Sequence, residues 1–107
     1  MSGKKSARDE YVEKLKGKLD EWNGDIDTLK ARGEDIAATA RNEYHEHIQA
    51  LQARRGEFQE KLHEVSEAAE AAWEDMKVGV DGAADALRAA IRAAKKRFGV
   101  HAAARKR

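Results

Sequence analysis

Apolar residues return at every third or fourth position along almost the whole chain. Val12, Leu15, Leu19, Trp22, Ile26 and Leu29 form a first run, and Ile36, Ala40, Tyr44, Ile48 and Leu51 a second. Phe58, Leu62, Val65, Ala69, Trp73, Met76 and Val80 continue it, and Ala84, Leu87, Ile91, Ala94 and Phe98 close it. This spacing lays each run along one stripe of an α-helix, and alternation of period two is found over no useful length. Ser6-Ala7-Arg8-Asp9 has the chemistry of a helix start: a hydroxyl that accepts from a free backbone N–H, and an acid near the positive helix end. Lys95, Lys96 and Arg97 followed by Gly99 have that of a helix end. The pattern predicts an all-α chain: a long amphipathic helix with coiled-coil character, followed by a shorter C-terminal one.

A single helix over residues 7–98 would be about 138 Å long and would leave its large apolar side chains in water. Burying each is worth about 1.5–3 kcal/mol, so the stripe needs a partner. That partner comes from the same chain, as a helical hairpin or bundle, or from a second copy, as a homo-oligomer. The seam positions expected to carry this contact are Leu15, Leu19, Trp22, Ile26, Leu29, Ile48, Leu51, Phe58, Leu62, Val65, Trp73, Met76, Leu87, Ile91 and Phe98. Both tryptophans are read first as seam residues that fill space between alanines, although Trp is also common at recognition anchors.

The chain has no proline, so its eight glycines are the candidates for bends. Asn23-Gly24 lies inside an unbroken 3–4 pattern and reads as helix. Arg32-Gly33-Glu34-Asp35 and Arg55-Gly56-Glu57 place cations before a glycine and acids after it, which is stop-then-start chemistry. Val78-Gly79-Val80-Asp81-Gly82 combines two glycines, two β-branched residues and a capping aspartate, and is the strongest break. The expected organisation is a disordered N-terminus over residues 1–6, a helical coiled-coil domain over 7–98, and a basic disordered tail over 99–107. Within the domain, one helix runs to about Lys77 and another from about Gly82 to Phe98.

Composition narrows the function classes. Ala, Glu, Lys, Leu and Arg supply 60 of the 107 residues, while Leu, Ile, Val and Phe together number only 17. Such a chain is rich in helix formers and poor in core material, which disfavours a globular enzyme with a closed pocket. Without cysteine there is no disulfide, zinc-finger or redox motif. No stretch approaches 18 consecutive apolar residues, and the N-terminus lacks the apolar core of a secretory signal, so a cytoplasmic location is the expectation.

Charge is segregated although the formal net charge is only +1. Residues 57–85 hold nine acids and two bases, whereas residues 86–107 hold eight bases and no acid. Attraction between the two segments, as an antiparallel hairpin about Gly79–Gly82 or between chains, is one consequence. The eight bases, Arg88, Arg92, Lys95, Lys96, Arg97, Arg105, Lys106 and Arg107, are also candidate anion ligands. Val80, Ala84, Leu87, Ile91 and Phe98 share one helix face and the bases flank it, so this helix suits an anionic membrane surface or nucleic acid. Eight duplex phosphate contacts would give a salt slope of at most about −7. Phe98 is the aromatic within this segment that offers base stacking, which argues against sequence-specific reading.

Asp9-Glu-Tyr-Val-Glu-Lys-Leu-Lys, Glu21-Trp22-Asn23 with Ile26-Asp27, and Ala72-Trp73-Glu74-Asp75 resemble a family of small bacterial coiled-coil stress-response proteins. The likeness covers residues 8–98. It implies a non-enzymatic, cytoplasmic helical protein with no catalytic motif, no cofactor and no small-molecule substrate. Glycine at 17, 24, 33 and 56 and the tail after Val100 depart from that pattern.

Catalytic candidates are few. Glu60-Lys-Leu-His63 has the spacing of a carboxylate–imidazole metal pair, but a di-iron bundle needs two such motifs and two further carboxylates. Glu43 and His47 are four apart and suit a weak metal clip, whereas His45 and His47 diverge on a helix. Ser2, Ser6 and Ser66 have no positioned base. Two functions are therefore expected: a coiled-coil protein acting through self-association or partner binding, or a binder of anionic surfaces through its basic C-terminal helix.

Overall fold

The computed structural model describes residues 6–98; residues 1–5 of the N-terminus expected to be disordered over 1–6, and the expected tail over 99–107 with Arg105, Lys106 and Arg107, lie outside them. Ser6 starts the first helix, α1 (Ala7–Ala31), by accepting from the Asp9 N–H at 3.1 Å. Helix α1 passes through Gly24 without interruption. Two short 3-10 turns, Gly33–Asp35 and Ala38–Ala40, lead into α2 (Arg41–Ser66), and residues 67–72 lead into α3 (Trp73–Phe98). The helices have 25, 26 and 26 residues and run up, down and up. None of them is long and apolar enough to cross a membrane.

The stripe finds its partner within the chain. On α2 the buried residues Tyr44, Leu51, Phe58 and Val65 recur every seven positions, and on α3 Trp73, Val80, Leu87 and Ala94 do the same. A strict seven-residue repeat is the register of knobs-into-holes packing between neighbouring helices. Phe58, Ile26, Leu29, Leu51, Leu87, Val65 and Val80 are fully buried. Val78, at 79% exposure, is the one large hydrophobic left exposed among the described residues. The bundle measures 55 × 25 × 16 Å. Its radius of gyration is 16.7 Å, against about 13 Å for a compact chain of this size, so the shape is a stubby rod.

Four expectations are corrected. The long helix ending near Lys77 is broken twice, at residues 32–40 and 67–72. The break at Gly79–Gly82 does not occur, because both glycines lie inside α3. Gly56 likewise lies inside α2 and ends nothing. The hinged hairpin between the acidic and basic segments falls with the Gly79–Gly82 break. Equal helix length explains the choice. A turn at 67–72 folds two 26-residue stripes fully onto each other. A turn at 79–82 would leave the first half of α2, with Tyr44, Leu51 and Phe58, beyond the reach of a shortened third helix.

Tertiary contacts hold both turns. The Tyr44 hydroxyl reaches back to the α1 C-terminus, donating to the Leu29 carbonyl at 2.7 Å with the Lys30 carbonyl at 3.2 Å. Burial pushes this phenol above its ordinary value of 10.0. Arg41 donates to the Ile36 carbonyl at 2.9 Å. The other turn is held by Arg8, which donates to the Ala68 carbonyl. Trp73, at the start of α3, packs on Tyr11 of α1 at 5.7 Å between ring centroids. Tyr11 also donates to Asp81 at 2.5 Å, and burial together with that bond raises its phenol.

These contacts separate two kinds of glycine. Nothing lies within 4 Å of a Cβ built on Gly17, Gly24, Gly56 or Gly82, whereas a Cβ on Gly33 would stand 3.1 Å from the Tyr44 hydroxyl oxygen. Alanine at each of the first four is expected to stabilise by about 0.5–1 kcal/mol, and all four together by about 2–4 kcal/mol. Gly33→Val is expected to destabilise by about 1–3 kcal/mol through overpacking. Urea unfolding midpoints of the quadruple and single variants check both signs.

Candidate functional site

Helix α1 is held less closely than α2 and α3. It supplies Val12, Ile26 and Leu29 to the buried set, while Leu15, Leu19 and Trp22 are only partly covered. Polar contacts with α3 stand near both ends: Tyr11 with Asp81 near one, and Asp25 with Lys95, 3.4 Å apart, near the other. Between these contacts α3 presents the small side chain of Ala84, and the space is not filled. Toward the Asp25–Lys95 contact lies a groove of about 500 Å³, lined by Trp22, Asp25, Arg88, Ile91, Arg92, Lys95 and Lys96. A second one of about 380 Å³ adjoins it and shares Trp22 and Arg88.

The floor is apolar and the wall cationic. Ile91 is buried, and Trp22 leans on Phe58 of α2 at 5.7 Å between centroids and 55° between planes. Arg88, Arg92 and Lys96 follow each other at intervals of four on the exposed side of α3. Arg88 pairs with Asp85 at 3.0 Å. Arg92 and Lys96 have no ion-pair partner among the described residues. Like charges four apart on a helix destabilise it by about 0.2–0.5 kcal/mol per pair, and an anion laid along the stack would relieve this.

The structure sorts the residues expected from the sequence. Ile26, Leu29, Leu51, Phe58, Leu62, Val65, Trp73, Leu87, Ile91 and Phe98 are buried core residues. Leu15, Leu19, Trp22, Ile48 and Met76 are partly buried against that core. Of the basic set, Arg88, Arg92, Lys95 and Lys96 share the groove, but Arg97 turns to the opposite side. There it grips Glu43 of α2 through two hydrogen bonds of 2.7 Å. Its neighbour Phe98 is enclosed by Tyr44 at 5.3 Å and His47 at 5.2 Å between ring centroids. Phe98 is therefore not presented for stacking. Trp22 and Asp25, which come from α1, complete the groove; an interhelix pairing is not visible in a linear pattern.

The metal-type spacings gain no third ligand. No group of three or more His, Cys, Asp or Glu side chains stands together among the described residues. His63 pairs with Glu67 at 3.5 Å, and His47 Nε2 lies 3.9 Å from Glu43. Ser6 caps α1, and the Ser66 hydroxyl donates to the His63 carbonyl at 2.6 Å. The chain matches no family model, and no curated protein or solved structure is similar to it at a significant level. The resemblance to stress-response proteins rests on the residues that suggested it.

The Arg97 clamp has a pH signature. Its hydrogen bonds hold the Glu43 carboxyl below the ordinary 4.5. The folded state therefore takes up this proton at lower pH than the unfolded chain. The resulting stabilisation is present above about pH 4.5 and lost as pH falls through the folded value. Glu43→Gln should flatten this part of the acid limb, which denaturation midpoints from pH 7 down to about 3 would show; an acid limb identical to that of the parent chain contradicts the clamp.

Proposed function

We propose that the protein acts by binding rather than by catalysis, and that it binds the phosphate backbone of nucleic acid along the basic side of α3. The observation that carries this reading is the row of exposed cations at Arg88, Arg92 and Lys96, two of them without an ion-pair partner among the described residues. Four residues of helix rise about 6 Å, so the row extends about 12 Å, the axial length of three to four phosphates on one duplex strand. Ala89 and Ala93 between the cations leave room for the backbone to approach.

A membrane surface is the less favoured anion. Interfacial helices bury an apolar face in the lipid. In α3 that face, with Val80, Ala84, Leu87, Ile91 and Phe98, is buried in the bundle. Inserting it would require the bundle to open.

Titration of a labelled DNA 20-mer over about 50–200 mM salt tests the reading. Three phosphate contacts predict a loss of affinity of about 20- to 40-fold across that range. Arg92→Ala with Lys96→Ala should reduce the salt slope by about 2. Vesicles containing phosphatidylserine serve as the second arm. Equal DNA affinity for the parent and the double variant, or binding to vesicles alone, would refute the proposal.

A further inference from the structure

The sequence offers Phe98 as the aromatic of the basic segment, yet the fold buries it at 8% exposure between Tyr44 and His47. Trp22 arrives at the same cations from another helix. It lines both adjoining grooves, packs on Phe58 on one side, and stays partly open on the other. We infer that Trp22 is a stacking platform for an unpaired nucleobase, and that the groove between α1 and α3 takes single-stranded nucleic acid in preference to duplex. This rests on the phosphate-binding reading above and adds to it the class of strand.

The geometry favours a strand whose bases are free to turn. In a duplex the base faces are covered by their neighbours, so Trp22 has none to stack on, and α3 can meet only the backbone and the base edges in a groove. A single strand can lay phosphates on Arg88, Arg92 and Lys96 while one base rotates inward. The groove of about 500 Å³ falls within the usual range for small-ligand sites, about 300–1,000 Å³. Its apolar surfaces are the Trp22 ring and Ile91, and its cations sit at the rim on α3. Asp25 is turned to Lys95, which leaves the Arg92 and Lys96 charges to the backbone. Every base has a flat π face, so recognition of this kind tolerates sequence.

The test uses the full chain carrying Trp73→Phe, so that Trp22 is the sole indole. It is titrated with a thymidine 20-mer, with a duplex of equal length, and with sodium polyphosphate. The single strand should quench the indole and bind more tightly than the duplex, while polyphosphate binds without quenching. Trp22→Leu should lower single-strand affinity by about 5- to 150-fold and leave the salt slope unchanged. Far-UV dichroism establishes that this variant keeps its helices, and Trp22→Phe should restore part of the loss. Equal binding of single strand and duplex, with no quenching and no effect of Trp22→Leu, overturns the stacking platform and leaves the phosphate reading standing. Failure of all three polyanions to bind at low salt removes both.

Discussion

Burial of the heptad seam between α2 and α3 organises the molecule. A chain so poor in large apolar residues cannot fill a broad core, and the two longest stripes must therefore overlap along their whole length. That demand sets the helices at 26 residues each and places the second turn at residues 67–72. It also turns the Tyr44 ring toward Phe98, which brings the start of α2 against the end of α3. The Arg97–Glu43 clamp closes at this same junction.

The groove follows from what the seam leaves over. With α2 and α3 paired, α1 packs across them through Val12, Ile26 and Leu29, and its middle turns meet the small Ala84 and the charged side of α3. Leu15, Leu19 and Trp22 are only partly covered in consequence. A larger residue at 84 would fill the smaller recess that Ala84 lines with Leu15, Trp22 and Arg88. The groove is thus a packing deficiency set next to a charge stack, and such a combination recognises a ligand with a flat apolar part and an anionic part.

Much of this was legible before folding. The 3–4 spacing gave helix almost everywhere, Ser6 gave the first cap, and the cations at 88–97 stood out against the acids before them. The second turn was not legible, and the strongest break in the sequence is not a turn at all. Glu67-Ala-Ala-Glu-Ala-Ala72 consists of strong helix formers and yet is a turn; Val78-Gly-Val-Asp-Gly82 contains two poor ones and yet is helix. Gly33 did mark a turn, although what it accommodates is the Tyr44 hydroxyl rather than an unusual backbone angle.

By itself the amino-acid order determined helix type, the stripe on each helix and the segregation of charge, because these depend on neighbours within one or two turns. The tertiary structure decided where the rod folds, which aromatic meets the cations, and that Arg97 is clamped while Arg92 and Lys96 are not. The physical reason is one of scale. Local propensity differs by about 1 kcal/mol per residue, whereas burying one large side chain is worth about 1.5–3 kcal/mol. Where the two conflict, matching stripes at long range prevails, and such matching is a property of pairs of helices that no single stretch of chain records.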